Sequence, residues 1–382
     1  MKTAAILSLG GVVATGLVIA CATTQLAPGA PGHHTTAGYQ NPPDSPARHP
    51  WYARIGWVLA APFRLSGRPD VPKQLPHVRA KAATLDAVSD PSKRFKVTWI
   101  GHMTVLLQLG DITILTDPWL SDYASPVAPI GPKRFVDPAL DFADLPPIDV
   151  VVLSHNHYDH MDLDTLANLP NRDRVTAIAP LKLGRYFREY GYGRVIELDW
   201  YQSTDVGALT VTALPAILWS KRSLFATNDT LWASFAMTIK NGPRIYFGGD
   251  AEYGPIYKQL AARHGGYDLA ILAIGAYLPR EVMQGSHCEP HNCLRIGLDL
   301  EASNILGVHW GTVRLGDNHP LDAPKLLREA AEQWGLDDDR VWVMDIGETR
   351  AIPVTTRRAG RLQTPPPTAT LRPHPMKKEL PL

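Results

Sequence analysis

Four potential metal ligands stand within six consecutive residues of this sequence: His155, His157, Asp159 and His160, in the pattern HxHxDH. Two histidines separated by one residue can project to the same side as the chain leaves a strand, while the aspartate and the adjacent histidine fall in the following turn. One loop can therefore supply ligands to two neighbouring ions. The alternative is a polar loop with incidental histidines, but four such side chains are costly to bury together without a cation. The pattern predicts a metal centre and metal-assisted chemistry.

Apolar and β-branched runs predict an α/β chain that positions this loop. The segments FKVTWI, VLLQL and ITILTD, beginning at Phe95, have the density and spacing of a meander of strands. The run 148–154 is typical of a buried strand, and residues 162–169 are typical of a short helix capped by Asp162. We expect further strands at 175–179, 208–214, 232–239, 244–249, 269–274, 304–308 and 341–344, with helices near 254–263, 289–300 and 321–334. The HxHxDH pattern therefore lies in a loop between a strand and a helix.

The chain begins with the features of an export signal. Lys2 precedes an uncharged apolar stretch at residues 4–20, and the sequence VIAC, which ends at Cys21, resembles the lipobox of bacterial lipoproteins. The alternative is an uncleaved N-terminal anchor, although the apolar stretch is at the short end for a bilayer span. In either case we expect an exported protein of the cell envelope that is held at a membrane. In the first case Cys21 is the lipidated residue.

Composition gives no reason to propose a nucleic-acid partner. The 382 residues are 45% hydrophobic and 20% charged, which allows a sizeable core. Lys and Arg together number 38, against 37 for Asp and Glu. A chain with so little net charge has no overall electrostatic attraction to a phosphate backbone.

Several motifs resemble one known family: WIGHMTVLLQLGDITILTDPWLS, SPVAPIGPKR, LPPIDVVVLSHNHYDHMD, TLWASF, YFGGDAEYGP, DLAILAIGAYLPR and GVHWGT. They are similar to motifs of the bacterial relatives of N-acylphosphatidylethanolamine-hydrolysing phospholipase D, within the metallo-β-lactamase superfamily. The resemblance covers residues 99–345. It implies an α/β fold, a four-layer αββα sandwich built from two βα halves, with a dinuclear site, usually of zinc, at one edge of the sheets.

The resemblance also implies a ligand set. His155 and His157 would bind the first ion, whereas Asp159 and His160 would bind the second. Asp250 in GGD would bridge both ions, and His309 in GVHWGT would complete the second site. Each of these last two residues follows an apolar run, RIYFGG or NILGV, although either alone could equally be a buried polar residue with satisfied hydrogen bonds.

One position departs from the family pattern. The family segment PAQHWS, whose histidine supplies a third imidazole to the first ion, appears here as PAILWS at residues 215–220. Leu218 stands at the position of that histidine and cannot bind metal. The first site keeps only His155, His157 and Asp250, unless water or a nearby side chain replaces the missing ligand.

The segment HCEPHNC at residues 287–293 resembles a small zinc-binding cluster. Helical spacing instead favours Cys293 as a core residue, since Ile296 and Leu300 follow on the same face. His287 matches a family histidine beside the metals, and we predict that it contacts the substrate or transfers a proton. Cys288 or His291 as a replacement ligand, and a single bridge between the two cysteines, remain alternatives.

Four further residues match family motifs around the site. His102 and Asp117 are expected to brace the metal ligands, because a carboxylate or imidazole behind a ligand fixes its orientation. Lys133 and Arg134, in the motif GPKR, could place a cation near an anionic substrate. An exposed basic turn is the alternative for this pair.

We expect five regions along the chain. They are a signal peptide (1–20), a flexible linker (21–50), an N-terminal extension with an aromatic segment (51–94), the metallo-β-lactamase-like domain (95–353) and a Pro-rich disordered tail (354–382). The aromatic segment, residues 51–64, suits a membrane interface or a helix packed on the domain.

The resemblance predicts a metal-dependent hydrolase with two zinc ions. Its substrate would be a phosphodiester of a phospholipid, such as an N-acylphosphatidylethanolamine, attacked by a metal-bound hydroxide that Asp159 orients. One alternative is hydrolysis of a lactone or small ester, which related proteins cleave with the same ligands. The other is a non-catalytic lipoprotein that binds metal or lipid, because Leu218 replaces a ligand.

Overall fold

The computed structural model describes residue 26 and residues 29–49, 75–80, 94–223 and 226–354. The expected signal peptide, Cys21, the aromatic segment at 51–64 and residues 355–382 of the expected tail lie outside these residues. Within them, no helix is long and apolar enough to cross a membrane.

Strands make up most of the regular structure. In chain order they are β1 (His34–Thr35), β2 (Gly38–Tyr39), β3 (Arg94–Gly101), β4 (Thr104–Leu109), β5 (Ile112–Thr116), β6 (Val150–Val152), β7 (Thr176–Pro180), β8 (Arg194–Leu198), β9 (Ser203–Val206), β10 (Leu209–Leu214), β11 (Ser234–Ile239), β12 (Arg244–Phe247), β13 (Tyr267–Ala273), β14 (Ala302–Val308), β15 (Val341–Trp342) and β16 (Thr349–Pro353). The helices are α1 (Leu163–Asn168), α2 (Gly184–Glu189), α3 (Ile256–His264), α4 (Arg280–Met283), α5 (Pro290–Asp299) and α6 (Asp322–Gln333), with 3₁₀ turns at Phe142–Asp144 and Arg172–Arg174.

Two seven-stranded sheets form the centre of the fold. The first has the strand order β16-β3-β4-β5-β6-β7-β8, and the second has the order β15-β14-β13-β12-β11-β10-β9. The neighbours from β5 to β8 are parallel, as are those from β12 to β15. Because parallel strands end at the same edge of a sheet, side chains that follow these strands are gathered at one edge.

The sheets pack against each other and are covered by helices on their outer faces. Val97 and Val105 of the first sheet share a buried core with Val211 and Met237 of the second. A separate core on the outer side of the first sheet includes Phe187 of α2 and residues of α1. Helices α5 and α6 contact each other, and α5 packs on β13 and β14 of the second sheet. The αββα sandwich expected from the resemblance is confirmed.

Residues 29–49, which we name the N-terminal strap, pack on the domain and carry the β1–β2 hairpin. His33 Nε2 and His34 Nε2 lie 2.6 and 2.8 Å from the two carboxylate oxygens of Asp199, and the His33 ring stacks on Trp200. Further along, Asn41 Oδ1 accepts a hydrogen bond from the backbone N–H of Leu218. The prediction of a flexible linker is therefore wrong for these residues, because specific long-range hydrogen bonds hold them in place.

Candidate metal centre

Four side chains converge at the edge where strands of both sheets end. Asp159 and His160 follow β6, Asp250 follows β12, and His309 follows β14. His160 Nε2 lies 3.3 Å from Asp159 Oδ2 and 3.0 Å from Asp250 Oδ2, while His309 Nε2 lies 3.4 and 3.2 Å from oxygens of the same two carboxylates. Ligand atoms of a tetrahedral zinc ion with bonds of 2.0–2.1 Å are about 3.3 Å apart. The four distances between imidazole nitrogens and carboxylate oxygens are close to this value, and the four side chains are those predicted for the second site.

The predicted first site has fewer donors. His155 Nε2 lies 2.9 Å from His157 Nδ1 and 3.7 Å from Asp250 Oδ2, so Asp250 belongs to both groups of ligands. Leu218 is buried in the core and offers no ligand atom. The three remaining side chains form the kind of incomplete ligand set that leaves a position open for water or substrate.

Among the described residues, neither Cys288 nor His291 supplies a replacement ligand. Cys288 and Cys293 form a disulfide, and Cys293 is fully buried on α5, as its helical spacing predicts. The clusters of potential metal ligands contain neither cysteine nor His291. His287 does belong to one of them, since its Nε2 lies 3.9 Å from Asp250 Oδ2.

Asp117 and His102 contact the predicted ligands directly. Asp117 accepts hydrogen bonds from His160 Nδ1 at 2.7 Å and from the backbone N–H and hydroxyl of Ser154. The Ser154 hydroxyl is also 2.8 Å from His155 Nδ1. With their Nδ1 atoms held in this way, His155 and His160 each turn Nε2 towards the centre. His102 Nε2 lies 2.8 Å from Asp159 Oδ2. An imidazole that donates a hydrogen bond to a carboxylate binds metal more strongly than one without this partner.

Replacing Asp117 with asparagine is expected to weaken zinc binding by about 10- to 100-fold, because the amide cannot hold the His160 proton as a carboxylate does. Competition with a chelator of known affinity measures the effect. Asp122→Asn is the control, since Asp122 is exposed and pairs with Lys133. Unchanged zinc affinity in the Asp117 variant would show that this carboxylate does not tune the ligands.

Tight backbone geometry brings these groups together. Gly249, in the sequence GGD, has φ of +58°, and a Cβ added there would lie 2.6 Å from Cβ of Ser154. His102, Asp117 and His309 also have positive φ, a conformation that non-glycine residues adopt at a cost. The clustering of such residues here indicates that the site geometry is held by the surrounding strands.

Most groups of the centre are in the ionisation state that binds a cation, and His160 is the exception. Burial would lower the pKa of His160, but Asp250 and Asp159 raise it well above its ordinary value, so this imidazole must release a proton when metal binds. Burial lowers the pKa of His102 to about 3 and the pKa values of His157 and His287 to about 4, so these imidazoles are neutral near pH 7. Burial would raise the pKa of Asp159 and Asp250, but His160 and the neighbouring histidines hold both well below the ordinary value. Neutral imidazoles and ionised carboxylates are the forms that bind metal.

The metal-free protein is expected to lose stability as the pH falls from 6.5 towards 4. In the unfolded chain His157 and His287 bind protons near pH 6.5, whereas in the fold they stay neutral until about pH 4. The unfolded state therefore binds more protons in this window, so acid favours unfolding. Thermal unfolding of chelator-treated protein at about pH 7.5, 6 and 5 measures this, and an unchanged midpoint would contradict it.

A cavity of about 610 Å³ opens onto the centre. His157, Asp159, Asp250 and His287 line it, so the structure places His287 beside the ligands. Apolar side chains contribute much of the remaining wall, among them Pro126, Trp219, Val282, Met283 and Leu315.

The structure does not bring Lys133 or Arg134 to this cavity. Lys133 is exposed and pairs with Asp122, and Arg134 is buried with its guanidinium 4.6 Å from the Trp119 ring. Their predicted place beside the substrate is therefore wrong, because strand-like pairing of this loop turns Arg134 inward. The basic residues that do line the cavity are Arg48, Lys221 and Arg222.

Comparison with known proteins agrees with this geometry. The Beta-lactamase superfamily domain matches residues 113–310. An uncharacterized protein of Mycobacterium tuberculosis is 40% identical over 284 residues, which cover 73% of each chain. N-acyl-phosphatidylethanolamine-hydrolyzing phospholipase D 1 of Caenorhabditis elegans is 35% identical over 266 residues, which cover 66% of this chain and 74% of that one.

A solved structure supports the fold independently. The isothiocyanate hydrolase from Delia radicum gut bacteria has a TM-score of 0.55 at 20% identity, over 68% of this chain and 99% of that chain. The domain match spans the HxHxDH loop, Asp250 and His309, and therefore all the metal ligands described above. The chain belongs to the metallo-β-lactamase superfamily.

Proposed function

We propose that this protein is a metal-dependent hydrolase that cleaves a phosphodiester bond of a phospholipid, such as an N-acylphosphatidylethanolamine, in the manner of a phospholipase D. The observation that carries the proposal is the four-residue metal group at one end of a cavity with largely apolar walls. Apolar walls suit acyl chains, and the cavity volume is in the range that binds small molecules. The similarity to the Caenorhabditis elegans phospholipase D supports the same reaction.

The residues of the centre have distinct parts in this reaction. Two bound zinc ions would make hydroxide available near neutral pH and would neutralise charge that develops on the phosphate. Asp159, ionised and fixed by His102, can orient the attacking water through a hydrogen bond. His287 is neutral, lines the cavity, and has an Nδ1 without a hydrogen-bond partner among the described residues, so it can contact the phosphate or transfer a proton.

Product analysis tests the proposal. Zinc-loaded protein would be incubated with N-acylphosphatidylethanolamine in mixed micelles, and in parallel with an acyl lactone. Mass spectrometry should detect phosphatidic acid and N-acylethanolamine in the first reaction. Opening of the lactone alone would favour the small-ester alternative, and no turnover of either would favour a binding protein.

Leu218 favours the alternative of a non-catalytic protein that binds metal or lipid. Its presence also leads to a prediction about metal content. We expect the first site to hold zinc weakly, and Leu218→His to raise the content towards about two ions per chain by supplying a third imidazole. Plasma mass spectrometry on protein purified without chelators measures this. Leu218→Ile is the size-matched control without a ligand atom. Nearly two ions in the unmodified protein would mean that the missing ligand is replaced locally.

Export and a lipid anchor at Cys21 remain proposals, as does a membrane as the place of action. They agree with a lipid substrate, but an anchor determines location and not specificity. Retention of the protein in the membrane fraction, and its loss in Cys21→Ser, would support them.

A further inference from the structure

The N-terminal strap carries a second group of potential metal ligands, apart from the candidate metal centre. His33 Nε2 and His34 Nε2 approach the two carboxylate oxygens of Asp199 at 2.6 and 2.8 Å. The three ligand atoms lie within 4.8 Å of one another, and this cluster shares no residue with those around Asp250 in the described part of the chain. Two imidazoles and one carboxylate are a ligand set that proteins use for zinc, with a fourth position left to water.

A backbone turn brings the two neighbouring imidazoles to the same carboxylate. In an extended strand, successive side chains face opposite sides, so adjacent histidines would diverge. Here the backbone N–H of His34 donates to the carbonyl oxygen of Pro31 at 2.9 Å, and the carbonyl oxygen of His33 accepts from the backbone N–H of Gln40 at 2.9 Å. The hairpin that these bonds hold leaves the two ring centroids 4.7 Å apart, with both Nε2 atoms towards Asp199.

The carboxylate is also held in place. Asp199 Oδ1 accepts a hydrogen bond from the backbone N–H of Trp200 at 2.8 Å, and the backbone N–H of Asp199 donates to Gln202 Oε1 at 2.9 Å. The Trp200 ring stacks on the His33 ring at 4.1 Å and donates from Nε1 to the carbonyl oxygen of Trp232 at 2.7 Å. Ligands that are already positioned lose little conformational freedom when an ion binds.

An ion can reach this cluster from solvent. The side chains of His33 and Asp199 are 10% exposed, and that of His34 is 22% exposed. An imidazole binds metal through Nε2 when its proton is on Nδ1, so the ion would take the place of the protons between nitrogen and carboxylate. Ligand atoms around a tetrahedral zinc ion are about 3.3 Å apart, so each nitrogen–oxygen contact must lengthen by about half an ångström. The more exposed His34 ring has room to move outwards.

We propose that His33, His34 and Asp199 bind one zinc ion that clips the N-terminal strap to the domain. The two histidines and the aspartate come from distant parts of the chain, so the complete ligand set exists only in the folded protein. A ligand that binds the folded state alone stabilises it. The site is independent of the proposed hydrolysis, because the residues that line the cavity include none of the three.

Zinc content after dialysis against a weak chelator tests the site. The variant to compare carries both His33→Gln and His34→Gln, because a glutamine amide can donate the same hydrogen bond to Asp199 but its nitrogen cannot bind metal. We expect about one zinc ion fewer per chain than in the unmodified protein, whatever the candidate metal centre holds. Asp199→Asn should lose the same ion. His291→Gln is the matched control, since His291 lies outside the ligand clusters.

Thermal unfolding tests the role of the ion as a clip. After complete removal of metal, the unmodified protein and the double glutamine variant should unfold at similar temperatures, because the hydrogen bonds to Asp199 are retained. Added zinc should then raise the midpoint of the unmodified protein by about 2 °C or more beyond the rise in the variant.

The outcomes separate a metal site from a pair of hydrogen bonds. Equal zinc content in the unmodified protein and the double variant would overturn the site. Loss of more than one ion would also overturn it, because the two histidines would then support the candidate metal centre. Loss of one ion with an unchanged effect of zinc on the midpoint would reject the role as a clip. Anomalous diffraction at the zinc absorption edge, on unmodified protein, should place the ion between the three side chains, and the absence of a peak there would contradict the assignment.

Discussion

Replacing Asp250 with asparagine is expected to reduce hydrolysis by at least about a thousandfold and to lower the zinc content of the protein. Asp250 is the residue shared by both ligand groups, and its two oxygens face His160 and His309 at 3.0 and 3.2 Å. An amide offers one neutral oxygen in place of two charged ones, so both groups of ligands lose the residue that they share. Steady-state turnover and zinc per chain, measured on the same preparation, test this.

The control for Asp250 is another buried aspartate away from the centre. Asp268 is similarly buried and accepts a hydrogen bond from the backbone N–H of Arg244, which an asparagine can also accept. Asp268→Asn should therefore keep its zinc and most of its activity. If Asp250→Asn retained full zinc content and turnover, the shared-ligand assignment would be wrong.

A second large loss of activity is expected when His287 is replaced. His287→Gln should lower kcat by about a hundredfold or more while the zinc content stays unchanged, because general acid–base groups typically contribute that much. His287 lines the cavity, but its Nε2 is 3.9 Å from the nearest oxygen of Asp250, farther than the tighter contacts of His160 and His309. Kinetics and metal analysis are measured together.

Zinc content decides between two roles for His287. If the zinc content falls together with the activity, His287 is a metal ligand that substitutes for the one missing at Leu218. The assignment of His287 to proton transfer would then be wrong. His291→Gln is the control, since His291 is four residues further on and lies outside the ligand clusters. It should behave like the unmodified protein in both measurements.

The positions of the predicted ligands follow from strong local signals in the sequence. HxHxDH is contiguous, and Asp250 and His309 each follow an apolar run that becomes a buried strand, β12 or β14. Asp162 is the N-cap of α1, as its position predicts, and accepts a hydrogen bond from the backbone N–H of Asp164. Where the strand or turn beside a residue determines its position, the sequence pattern is sufficient to predict that position.

The elements and residues that the sequence did not predict depend on contacts between distant parts of the chain. Strands β8 and β9 are short and partly exposed, and they lack the apolar runs that mark the central strands. Ser154 precedes the metal motif, but its link between Asp117 and His155 required knowing that β5 and β6 are neighbours. Arg48 stands in a Pro-rich segment without periodicity, so nothing local indicates that it reaches the cavity.

The N-terminal strap has a consequence for the order in which the molecule assembles. Its anchoring partners come much later in the chain, since His33 pairs with Asp199 across 166 positions and Asn41 with Leu218 across 177. Such contacts close very long loops and form late. During synthesis Arg48 leaves the ribosome well before Trp219, on which it stacks. The cavity wall also includes Leu315, so the cavity is complete only after most of the domain has been made.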